Sequence, residues 1–80
     1  MARTTEQIAQ DYTAMGHSAD LINAVIAGEQ MADYSAAARQ DTVDRNVEHL
    51  EMMVAKDDWG NEDMTAVNAA ITAGNGYTAS

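Results

Sequence analysis

Apolar side chains fall on helical spacings in three successive stretches of the chain. From Ile8, the positions Ile8, Tyr12, Met15, Ala19, Ile22 and Ile26 recur at intervals of 4, 3, 4, 3 and 4. That is one stripe of an amphipathic helix, and it passes Gly16 without changing phase. The spacing predicts a helix over about 5–27, opened by Thr4 with Gln7 in a capping-box pattern and stopped by a left-handed Gly28. A break at Gly16-His17, with Ser18 capping a second helix, is the rival reading. Near the end of the stripe Leu21 and Val25 join it, so this end is expected to be covered by two neighbours.

Residues 28–34 read as a connection and Ser35 as an N-cap. The second stripe is Ala36, Gln40, Val43, Val47, Leu50 and Val54, again at 4, 3, 4, 3 and 4, and it predicts a helix over about 36–56. A connection this short between helices of about 30 Å implies an antiparallel hairpin with a shallow left-handed crossing. The run Asp57-Asp58-Trp59-Gly60-Asn61 ends the second helix. Asn61 is then the expected cap of a third, over about 62–73, with Glu62 and Asp63 in its acidic first turn. Met64, Val67 and Ile71 form its apolar face, Ala66, Ala69, Ala70 and Ala73 permit close approach, and Gly74 ends it. Asn75-Gly76 reads as a turn and 74–80 as a loose tail. The expectation is one all-α domain over 1–80, a long helical hairpin closed at one end by a short third helix.

Composition narrows the function classes. Eighty residues with no proline and 16 alanines hold 21 larger apolar side chains, a core near the lower limit for independent folding. Cysteine is absent, which excludes disulfides, thiolate metal sites and a cysteine nucleophile. No apolar run is long enough for a membrane span and the N-terminal residues lack an apolar signal core, so neither membrane insertion nor secretion by signal peptide is expected. Thirteen acids against four bases give a net charge of −9, which argues against direct nucleic-acid binding.

Few residues offer chemistry. His17 and Asp20 share a helix face, but a metal needs three or four ligands, so a surface histidine is the simpler reading. Asp57, Asp58, Asn61, Glu62 and Asp63 invite comparison with a calcium loop. Counting back from Gly60, however, the ligand positions hold Ala55, Asp57 and Trp59, and the pattern fails. No hydroxyl or amine has an activating neighbour in sequence, and the acids lie in polar stretches, so no enzyme activity and no cofactor are expected.

The second helix is more informative. Opposite its apolar stripe lies a row, Arg45, His49, Met52 and Lys56, that sets two of the four basic residues beside an outward methionine. The row is either a solvated helix face or a contact surface for a protein partner. Trp59 and Tyr34, at helix ends, are further candidates for partner binding, although packing under the third helix is the primary expectation for Trp59. Residues 41–63 hold eight acids and two bases. A solvated face explains them, and a nucleic-acid mimic directed at a basic protein is the sharper alternative.

The stretch Asp44-Arg45-Asn46-Val47-Glu48-His49-Leu50-Glu51-Met52-Met53-Val54-Ala55-Lys56-Asp57-Asp58-Trp59 resembles a segment in short uncharacterised proteins of tailed phages, many of them marine. Glu62-Asp63-Met64-Thr65-Ala66-Val67-Asn68-Ala69-Ala70-Ile71 is similar to the continuation found there, and the likeness spans residues 41–76. The resemblance implies a viral protein located in the virion or the host cytoplasm and carries no catalytic residues. Its expected partners are viral structural subunits or further copies of itself.

Overall fold

The computed structural model describes residues 3–80. It contains α1 (Thr5–Ile26), α2 (Ala36–Val54) and α3 (Thr65–Asn75), every pair in contact, and no strand among the described residues. The α-helical class is as the periodicity predicts.

The start of α1 is a closed capping box. Thr4 Oγ1 accepts from Gln7 N (3.1 Å), and Gln7 Oε1 accepts from Thr4 N (2.8 Å). The helix runs unbroken through Gly16. At its other end Gly28 takes φ +77, its N–H bonds Val25 O, and Glu29 N–H bonds Ala24 O. These paired bonds form a Schellman stop, which needs a left-handed residue where glycine stands. Ser35 caps α2 by accepting from Ala38 N at 3.1 Å.

The second connection departs from expectation. Helix α2 ends at Val54 rather than 56, and α3 begins at Thr65 rather than 62. Trp59 is the cause. Its Nε1–H donates to Met53 O at 3.0 Å, so the chain must fold back under the last turn of α2. Asp57 (φ 58) and Gly60 (φ 63) make that reversal in left-handed conformations. Glu62 N–H then bonds Trp59 O, and Tyr12 Oη donates to Asp63 O at 2.6 Å, holding 59–63 as a loop. Asn61 therefore caps nothing. The N-cap position is Met64, which has no side-chain cap bond, and Asp63 just before it accepts from Thr65 N through Oδ1 at 2.9 Å.

Rather than closing one end of the hairpin, α3 lies along it. It starts where Tyr12 reaches Asp63 and ends where Gly74 abuts Val43, Val47 and Ile22. Gly74 is not a stop: the helix continues through it to Asn75, and its missing side chain lets α3 approach α2. The result is a three-helix bundle with extents of 42 × 19 × 19 Å.

The core holds Met15, Ala19, Ile22 and Val25 from α1, Val43, Val47, Leu50 and Met53 from α2, Val67 and Ala70 from α3, and Trp59. Two ends of the expected stripes shift by one residue. Ile26 is 37% exposed while Val25 is buried, because α3 stops beside Ile22 and leaves the last turn of α1 uncovered on that side. Val54 is half-buried and Met53 buried.

The tail expected to be loose is docked on the start of α2. Arg39 donates to Tyr77 Oη (3.1 Å) and Ser80 O (2.6 Å), while Gln40 donates to Tyr77 O (3.1 Å) and accepts from Ala79 N (2.7 Å). Gln40 stands in the apolar stripe because it is the clamp for this segment.

Candidate interaction surface

The outward side of α2 keeps three members of the expected row. Arg45 and Met52 are exposed on the helix and Lys56 in the turn just past its end, and Met52 is 65% accessible, more than any other large apolar residue among those described. Arg45 Nε pairs with Asp41 Oδ2 one turn earlier at 2.9 Å. Both partners are well exposed, so the pair adds at most about 1 kcal/mol and leaves Arg45 free to re-pair. Asp41, Asp44, Glu48 and Glu51 complete the face, and all are exposed.

His49 does not belong to it. Its ring is half-buried against α1, with Nδ1 at 2.9 Å from the buried Ser18 hydroxyl. At 100° per residue His49 sits farther round α2 than Met52, and α1 wraps far enough to cover it. A serine beside a histidine is also how many nucleophiles are activated. Here the hydroxyl lies in a packing seam inside a helix, whose N–H groups are spent on carbonyls one turn back, leaving no donors for an oxyanion. The pair ties the middle of α1 to α2.

Trp59 is 8% exposed and belongs to the core. Its ring meets Tyr12 at 6.4 Å between centroids, tilted by 57°, and the Arg3 guanidinium lies 4.3 Å over it. Arg3 also grips Asp58 through two nitrogens and Asp11 at 2.5 Å. The Arg3 hydrogen bonds hold the Asp58 carboxyl below the usual carboxylate range, and the Arg3 proton is held more tightly in return. Asp63 is lowered as well, by the Thr65 N–H at the start of α3. No periodicity marks Arg3 or Ser18, because both act through contacts distant in sequence.

Tyr34 is 60% exposed in the first connection, where its N–H bonds Met31 O and its carbonyl accepts from Arg39 Nε. Eighteen residues of mostly helix separate it from Met52, about 27 Å, so the two do not share a surface. His17 and Asp20 are exposed beside a shallow groove along the back of α1, lined by Leu21, Ala24, Ala27 and Gln30. Among the described residues no three histidine or acidic side chains come together as metal ligands, and no helix is long and apolar enough to cross a membrane.

No family model, curated protein or solved structure matches this chain.

Proposed function

We propose that this protein is a non-enzymatic interaction module of a tailed phage, a small virion component that binds or decorates larger capsid or tail subunits through the outward face of α2. The observation that carries the reading is Met52, exposed at 65% on a helix whose other side is locked into the core, with Arg45 two turns before it and Lys56 in the turn just past the helix end. Covering such a methionine contributes about 2 kcal/mol, and the flanking cations give a partner's acids something to meet. The phage assignment rests on the resemblance of residues 44–59 and 62–71.

Substituting Met52→Glu leaves helical circular dichroism unchanged and abolishes co-purification of the protein with phage particles, as read by mass spectrometry of the particles. Unchanged retention contradicts the surface.

A second reading, an acidic protein that blocks a basic host protein, is favoured by the joint exposure of Asp41, Asp44, Glu48 and Glu51. Salt separates the two. Mimic binding collapses as salt rises, whereas contact centred on Met52 persists.

A further inference from the structure

We propose that a cleft at the 57–64 connection, where the end of α2 meets the start of α3, binds an arginine side chain presented by a partner protein. This goes beyond the reading above, because the cleft is built from residues other than those of the outward face of α2. Its origin is the reach of Trp59. The indole is anchored to Met53 O at 3.0 Å, so the chain folds back under the last turn of α2 before α3 begins. An open cleft of about 480 Å³ is left where the three segments meet.

Val54 and Met64, both half-buried, and the part of Trp59 left accessible give the cleft apolar walls. Asp57, Glu62 and Asn68, all exposed, supply its polar groups. Among the described residues neither carboxylate forms an ion pair, and Lys56, adjacent in sequence, does not line the cleft. Apolar walls alone would accept any aliphatic group, and two acids alone any cation. Together they fit a side chain with an aliphatic stem and a cationic head, which lays its stem on the walls and keeps its charge at the acids. A guanidinium suits the site better than an ammonium, since it is more weakly hydrated and its planar fork can meet two carboxylates. The chain already holds one guanidinium this way: Arg3 lies 4.3 Å over Trp59 while bonding Asp58 and Asp11. The cleft offers the same indole with a second pair of acids. The chain's own three arginines are engaged elsewhere, on Asp58, Tyr77 and Asp41, so the occupant comes from another molecule. The net charge of −9 favours approach of a basic one.

Titration of the full chain with N-acetylarginine methylamide, followed by nitrogen–proton correlation NMR, tests the site. The Trp59 indole N–H and the backbone N–H groups of Gly60, Glu62 and Asn68 are expected to shift together, saturating at roughly millimolar ligand. Those of Arg45 and Met52 stay in place. The citrulline analogue, which has the same shape without the charge, binds about tenfold more weakly, and Asp57→Asn combined with Glu62→Gln lowers arginine affinity by about the same factor. Circular dichroism checks that the double variant is folded, and the citrulline comparison needs no variant. Equal binding of the citrulline analogue, shifts spread over all the acidic surface, or an affinity unchanged by the double substitution overturns the proposal. Met52→Glu leaves arginine binding unaltered. Loss of particle retention in that variant, with no arginine binding in the unsubstituted chain, therefore removes the cleft alone. Selective arginine binding with unchanged particle retention supports the cleft and removes the α2 contact.

Discussion

Gly74 sits where a Cβ would overlap Val47 Cγ2 and touch Val43 and Ile22, whereas a Cβ at Gly16 would meet open space. Both glycines lie inside a helix of the structure, and they have opposite reasons to be there. Gly74→Ala gains about 1 kcal/mol of helix propensity and incurs about 1–3 kcal/mol of overpacking against a stiff valine. We expect a net loss of up to about 2 kcal/mol in urea denaturation, against a gain of about 1 kcal/mol for Gly16→Ala. A stabilised Gly74→Ala would mean that α3 does not lie so close to α2. Periodicity shows which face a residue occupies but not how near the neighbouring backbone comes, which is why Gly74 reads as a stop in sequence. The same blindness moves His49 outward: its angle on α2 is borderline, and only the position of α1 decides it.

Among the elements, caps and stripes are legible where the signal is local. Thr4 with Gln7, Gly28 and Ser35 each act through backbone groups within five residues, and all three sit where the sequence puts them. The 57–64 connection is not legible, because its shape follows from Trp59 reaching back to Met53 O and from Arg3 reaching across to Asp58. The docked tail escapes a sequence reading for the same reason: Gln40 and Arg39 lie some 40 positions before the groups they hold. The strap from Arg3 to this connection carries a pH signature. Asp58 has a folded pKa below its unfolded value, so its contribution is present above the unfolded value of about 4 and is lost as pH falls through the lowered one. Arg3→Gln should therefore lower stability at neutral pH and flatten the acid limb of a denaturation-midpoint profile. A profile parallel to that of the unsubstituted protein would show that the strap does not hold the loop.

Across the whole molecule, charge is unevenly placed. Residues 64–80 carry no charged side chain, so all of the net −9 resides on residues 1–63. Half of the cations stay inside the structure as ties, and the other half mark the outward face of α2. Met52 is the one large apolar group on that face, and peroxide oxidation followed by mass spectrometry reads its accessibility against internal standards. In dilute purified protein Met52 should oxidise rapidly, while Met15 and Met53, both buried, react slowly. In protein retained on purified phage particles, Met52 is expected to slow to the rate of Met53. Rapid Met52 oxidation in both settings, or absence of the protein from the particles, would contradict burial of this face by a viral partner.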